Sequence, residues 1–215
     1  MSFEFSRPAD GSDNGFAELL ESARGGDREA LGELLQWYCN YLTILATTQL
    51  DRRLQRRLSP SDLVQDTLLA AHRDFSAFRG SCERELLGWL RQILINSLHR
   101  AIDVHLRAGK RDLRREVSMD ELRTSVDRSA MNFAGMIAGS GTSPSAPAQA
   151  RERAVALANE LAKLPEHYRE VIIYRNLQNL PFEEIATRMD RTVGAVRMLW
   201  LRAIDKFKET CGPID

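Results

Sequence analysis

Apolar residues recur at helical spacing along almost the whole chain, and no stretch alternates in the two-residue rhythm of a strand. The pattern begins near Phe16 and pauses at Gly25-Gly26-Asp27, where Asp27 is placed to cap the next helix. That helix reads as one piece through Ala30, Leu31, Leu34, Leu35, Tyr38, Leu42 and Leu45. Ser59-Pro60-Ser61-Asp62 is a second start signal: a Ser cap, Pro in the first helical position, and an acid three residues after the cap. The helix it opens has a buried stripe of Val64, Leu68, Ala71 and Phe75, and leaves Asp62, Asp66, Leu69 and Arg73 on the other side. After a break at Arg79-Gly80 a long helix follows. Leu86, Leu90, Ile93, Leu94, Leu98, Ala101 and Ile102 face inward, and Asn96, His99, Arg100, Asp103 and Arg107 face outward.

From Val117 the period is lost and Gly, Ser and Pro accumulate, which is the composition of a linker. Fully extended, the 30 residues Ser118–Pro147 reach about 100 Å; as a free coil their ends lie about 30 Å apart. Helical pattern resumes near Arg151 and again after Pro165, with Val171, Ile172, Tyr174 and Leu177 as core. It closes on Leu180–Lys208, two helices joined by a tight turn. Pro181, Glu183 and Glu184 open the first of these, and Ile185, Ala186 and Met189 face inward. Thr192 caps the second, whose stripe is Val193, Val196, Trp200, Ile204 and Phe207. The pattern predicts an all-α protein of two small helical domains, 16–116 and 151–211, joined by a flexible linker over 117–150 and preceded by a disordered tail over 1–15.

On the last helix Gly194, Met198, Leu201 and Asp205 lie opposite the stripe, flanked by Arg197 and Arg202. A helix anchored by one face, with its opening turn and arginines projecting, is how a helix-turn-helix meets a major groove. An ordinary helical hairpin with a solvated charged face has the same pattern. The stripe of Asp62, Asp66 and Leu69 has the mixed acidic and apolar character of a protein-docking face, or of plain solvated helix. Asn96 can pair with a base edge and the arginines with phosphate or guanine.

Net charge is zero, but the charge is polarised. Residues 1–36 carry eight acids against three bases, whereas 96–115 carry six bases, Arg100, Arg107, Lys110, Arg111, Arg114 and Arg115, against Asp103 and Asp112. Such a chain can touch phosphate with one face while its acidic part discourages indiscriminate DNA binding. Cys39, Cys82 and Cys211 are far apart and form no CxxC pair, which fits a reducing cytoplasm and supports neither a disulfide framework nor a zinc site. The four histidines form no metal or catalytic cluster, so no catalytic residue, metal or cofactor is assigned. No apolar run approaches a membrane span and the first residues lack a signal-peptide core; a cytoplasmic location without membrane insertion is expected.

Four segments, in order, resemble the bacterial RNA polymerase sigma factors of the extracytoplasmic-function group, over about residues 16–211. GDREALGELLQWY resembles the start of sigma region 2, and SDLVQDTLLAAHRDFSAFRG its polymerase-binding segment. GWLRQILINSLHRAI is similar to the segment that reads the −10 element, and LPEHYREVIIYRNLQNLPFEEIATRMDRTVGAVRMLWLRAIDKF to region 4. The resemblance implies a non-enzymatic initiation factor that binds core RNA polymerase and directs promoter recognition and −10 opening. Asp62, Leu63, Gln65, Asp66 and Thr67 would lie at the polymerase. Arg79, Gly80, Ser81, Asn96, His99, Arg100 and Arg107 would hold single-stranded −10 DNA, with one non-template base flipped out. Arg188, Arg191, Thr192, Val193, Gly194, Arg197, Met198 and Arg202 would meet the −35 duplex. An anti-sigma factor is a further partner the resemblance admits. Two departures stand out: the loop between Phe78 and Trp89 is about two residues longer than the commoner pattern, and Met198, Leu199 and Leu201 replace polar or basic residues. The rival reading is a dimeric helix-turn-helix regulator that binds duplex DNA without polymerase. A helical enzyme is the third, and no catalytic cluster supports it.

Overall fold

The computed structural model describes residues 13–50, 58–108, 118–135 and 147–211, and every regular element among them is helical. The chain divides into two compact units, Met1–Asp127 and Arg128–Asp215. Residues 1–12 of the proposed tail, the basic run from Lys110 to Arg115 and the DRRLQRR segment lie outside the described residues; residues 13–15, expected in the tail, belong instead to a helix that starts at Asp13.

In the first unit α1 (Asp13–Arg24), α2 (Arg28–Gln36) and α3 (Cys39–Gln49) precede α4 (Pro60–Asp74) and the long α5 (Glu83–Ala108). α4 packs on α2, α3 and α5, and the core between them is aliphatic, with Leu34, Leu42, Leu45, Leu63, Leu86, Leu90, Leu94 and Leu98 fully buried. Both predicted caps are present. Asp27 accepts from the amides of Glu29 and Ala30 at 2.9 and 3.2 Å after Gly26 turns the chain at φ +97°. Ser59 accepts from the Asp62 amide at 3.0 Å with Pro60 beginning the helix.

The helix expected to run unbroken from Ala30 to Leu45 is two helices. The ladder tightens where the Tyr38 amide bonds back to Leu35 O, three residues earlier, and α3 starts afresh at Cys39. Apolar spacing continues through the break, so the sequence pattern does not register it. The break directs the buried Tyr38 hydroxyl to donate to Glu83 at the start of α5, 3.1 Å away, which satisfies a carboxyl that is itself buried.

The stretch read as a linker is not featureless. α6 (Met119–Gly135) occupies it, capped by Ser118, whose hydroxyl accepts from the Glu121 amide at 3.1 Å while Glu121 reaches back to the Ser118 amide at 3.3 Å. Leu122, Val126 and Phe133 are its buried apolar residues, with Ser129 buried among the polar ones. Within the first unit Arg123 donates to Gln92 at 3.1 Å, and Asp127 lies 3.5 Å from Arg91. A 17-residue helix measures about 25 Å, so this part of the segment does not have the reach of free coil.

The second unit contains the rest of α6, α7 (Pro147–Lys163), α8 (Glu166–Ile172), a π-helical turn over Ile173–Leu177, α9 (Phe182–Met189) and α10 (Val193–Cys211). α10 packs on α7, α8 and α9. Its buried residues are Val196, Leu199, Ala203 and Phe207, whereas Val193, Trp200 and Ile204 of the predicted stripe are only half-buried. The π-turn closes with Gln178 N bonding back five residues to Ile173 O at 3.0 Å, and Asn179 then takes a left-handed φ of +53°.

Candidate nucleic-acid interface

The α9–turn–α10 hairpin is built by local chemistry. Asp190 adopts the left-handed conformation at the end of α9, φ +53° and ψ +50°, which Asp tolerates better than most residues. Thr192 Oγ1 then accepts from the Ala195 amide at 3.2 Å and starts α10. The π-turn supplies the brace behind α10: Asn176 Oδ1 accepts from Trp200 Nε1 at 2.9 Å, and the Trp200 ring meets Phe182 edge-on at 5.8 Å. Arg175 lies over the other side of this cluster, 4.6 Å from the Phe182 centroid, and donates to Leu180 O.

Of the eight residues expected at the duplex, Arg191, Thr192, Gly194, Arg197, Met198 and Arg202 are exposed and share the outer side of the turn and α10. Val193 is half-buried. Arg188 differs more: only 18% of its side chain is exposed, its Nη2 pairs with Glu184 at 2.6 Å, its Nη1 donates to Gln178, and its guanidinium lies over Tyr174. It braces α9 against the π-turn. Phe182 and Glu183 were missed by sequence reasoning, yet they sit under and beside Arg197, at 5.6 Å from the ring centroid and 3.8 Å from the carboxylate. Spacing along α9 gave no sign of that contact because it crosses the turn.

In the first unit the loop after α4 is fixed at several points. Arg79 Nη1 donates to Ser76 O at 2.6 Å, Arg24 donates to Gly80 O, and the Ser81 amide donates to Glu85 Oε2 at 2.7 Å. The Ser81 amide bond is the main reason the Glu85 carboxyl is held below its usual pKa, with Cys82 adding to it. Gly80 is required by close approach: a Cβ there would lie 2.6 Å from Glu85 Cβ and 2.6 Å from the Phe78 ring. Phe75, Phe78 and Trp89 form an aromatic floor, with the Phe78 and Trp89 centroids 5.1 Å apart.

The seven residues expected at single-stranded DNA fall into separate places. Asn96, His99 and Arg100 line one depression of about 420 Å³ with Asp103, Val104 and Met119. Asn96 is exposed and accepts from Gln92 Nε2 at 3.0 Å, and His99 lies 4.0 Å from Asp103. Arg79 instead lines a cleft of about 880 Å³ whose rim carries Arg24, Arg28, His72 and Arg73 above Phe75 and Phe78. The Arg107 side chain lies outside the described residues. Arg24 and Arg28 bracket the Gly25-Gly26-Asp27 turn, so the turn's arginines were a legible but unused signal.

On α4, Asp62, Gln65 and Asp66 are exposed beside Leu69, which is 63% exposed. Leu63 and Thr67, expected at the same face, are fully buried; Thr67 Oγ1 donates to Leu63 O at 2.7 Å. They belong to the core because positions i and i+4 of this helix repeat the inward side, one residue away from the docking stripe.

No group of three or more His, Cys, Asp or Glu positioned for a metal occurs among the described residues, and no described helix is long and apolar enough to cross a membrane.

The geometry of α9 and α10 defines a helix-turn-helix unit, and residues 154–207 match the family model described as "Sigma-70, region 4". Nearly the whole chain is also similar to the ECF RNA polymerase sigma-E factors of Haemophilus influenzae (26% identity over 197 residues, 91% of this chain and 95% of that one) and Escherichia coli (27% over 201 residues, 91% and 94%). The sigma-E factor of Salmonella typhimurium is likewise 27% identical over 201 residues, with the same coverage. The chain is thus similar along nearly all its length to extracytoplasmic-function sigma factors, and its second unit carries a match to sigma-70 region 4.

Proposed function

We propose that the chain joins core RNA polymerase as its sigma subunit and directs promoter recognition, −10 opening and transcription initiation. The observation that carries this is full-length similarity to sigma-E factors together with a region 4 helix-turn-helix whose exposed arginines stand clear of its core. The first unit supplies the polymerase and −10 functions and the second the −35 function. Asp62, Gln65 and Asp66 dock on polymerase, and Arg191, Thr192, Gly194, Arg197, Met198 and Arg202 meet the −35 duplex. Asn96, His99 and Arg100 hold a flipped base, and the Arg79–Ser81 loop borders the same strand. Flipping costs a few kcal/mol, offset by stacking and hydrogen bonds, so strand opening and recognition are one event. Sequestration by an anti-sigma protein fits the same exposed faces. Run-off transcription with purified bacterial core polymerase and a randomised promoter library tests the reading. A discrete class of promoters transcribed only with the chain present is expected. No stable complex with core would overturn it, as would tight promoter binding by the chain alone.

A further inference from the structure

We infer that Met198, with Leu201 beside it, reads the C5-methyl groups of thymine in the −35 duplex. The inference rests on the proposal that α10 enters the groove. Ahead of Asp205 the outward stripe of α10 is Gly194, Met198 and Leu201, all exposed, with Met198 at 52% and Leu201 at 48%. None of the three carries a strong hydrogen-bond donor or acceptor, the Met198 thioether being only a weak acceptor. A major-groove edge offers donors, acceptors and one apolar feature, the thymine methyl. A stripe of this composition gains little from the polar pattern and is best matched to the methyl.

Charge fixes the occupant as DNA. Exposed Arg191, Arg197 and Arg202 flank the stripe, which suits phosphates on either side of a groove floor. Exposed Asp205 lies on the same side one turn beyond Leu201 and would repel phosphate, so the reading stripe ends at Leu201. Gly194 supplies an independent observation. A Cβ added there would meet nothing within 4 Å, so packing inside the protein does not call for glycine at this position. Its bare backbone serves the outer side: four residues before Met198 and on the same face, it lets the start of α10 settle close to the bases and brings the thioether to methyl depth.

The test uses the assembled holoenzyme and a promoter selected by it from a randomised library. Each thymine of the −35 region, on either strand, is replaced singly by deoxyuridine, which deletes the methyl and keeps the pairing and the O4 acceptor. With the unaltered chain, at least one position loses affinity about fourfold, the worth of one buried methyl. In Met198→Ala or Leu201→Ala that penalty falls to near unity, while in Arg197→Ala overall affinity drops and the penalty persists. Full affinity for every deoxyuridine duplex overturns the inference, as does a penalty untouched in both Met198→Ala and Leu201→Ala, or a selected −35 region without thymine. Loss of transcription in Met198→Ala with no uracil effect points to a protein partner on this stripe and overturns it equally. If Arg197→Ala also leaves −35 affinity unchanged, the placement of α10 in the groove fails as well, which separates the two claims.

Discussion

Arg197 on α10 stands over the ring of Phe182 on α9, its guanidinium carbon 5.6 Å from the ring centroid, with the Glu183 carboxylate 3.8 Å from Nη2. Sixty per cent of the Arg197 side chain is exposed. The ring holds the guanidinium by a cation–π contact and the carboxylate by a weak, screened attraction, so the fork is oriented before DNA arrives. With α10 in the groove as proposed, truncating it removes a DNA contact and little of the fold. Arg197→Ala is expected to weaken binding to a −35 duplex by about 1–3 kcal/mol. Arg197→Lys recovers only part of this, because an ammonium lacks the planar fork and stacks less well. Holoenzyme affinity for duplexes with intact and scrambled −35 regions measures it; equal affinity for Arg197→Ala and the unaltered chain would remove α10 from the groove.

On α4 the proposed docking residues and the core residues lie on different sides of one helix. Leu63 is fully buried and Asp66 is exposed, although only two residues lie between them. Leu63→Ala is expected to destabilise the first unit by about 2–5 kcal/mol through the cavity it leaves. Asp66→Ala is expected to leave unfolding unchanged within about 0.5 kcal/mol and to weaken the complex with core polymerase. Urea melts and gel filtration with core separate the two. An Asp66→Ala chain that binds core as tightly as the original would place the docking face elsewhere.

The sequence revealed its caps and long apolar stripes well, because those signals are local. Asp27, Ser59 and Thr192 each cap where expected. It was weaker where one residue's neighbours are distant in the chain. The kink at Trp37–Tyr38 follows from tertiary demands, including the Tyr38 bond to Glu83, that apolar spacing does not encode. The π-turn at Ile173–Leu177 looks like ordinary helix in sequence, since one extra residue in a turn hardly disturbs the apolar order. α6 escaped notice because Leu122, Val126 and Phe133 are sparse among polar residues. The resemblance placed Arg188 at DNA; in the structure it pairs with Glu184 one turn back on its own helix and turns to Tyr174 and Gln178 of the π-turn, contacts its position in the motif does not reveal.

In the proposed division of labour, the loop after α4 and Asn96 serve strand opening and not duplex binding. Gly80 has no room for a Cβ between Phe78 and Glu85, and Asn96 lies exposed on α5 beside His99 and Arg100. Gly80→Ala forces the loop off the aromatic floor, and Asn96→Ala removes a base-pairing edge. Both variants are expected to retain −35 affinity and to lower promoter opening, read as permanganate reactivity of unpaired thymines. Normal opening with Asn96→Ala would take the base pocket away from this helix.

Glu85 gives the same loop a pH dependence of known sign. The Ser81 amide at 2.7 Å stabilises its ionised form, so its pKa in the folded chain lies below the 4.5 of an unperturbed glutamate. A depressed carboxylate contributes stability that is fully present above the unfolded value and is lost as pH falls through the folded one. The loop is therefore held by this bond at neutral pH and is released only below about pH 4.5. Glu85→Gln weakens this hold at neutral pH, because its amide oxygen still accepts from Ser81 but without the charge. It is expected to speed amide exchange at Ser81 and Cys82 while leaving the α4 core protected. A carbon-13 titration of the Glu85 carboxyl checks the premise directly, since a midpoint at or above the unperturbed value would mean that the Ser81 amide does not hold the loop.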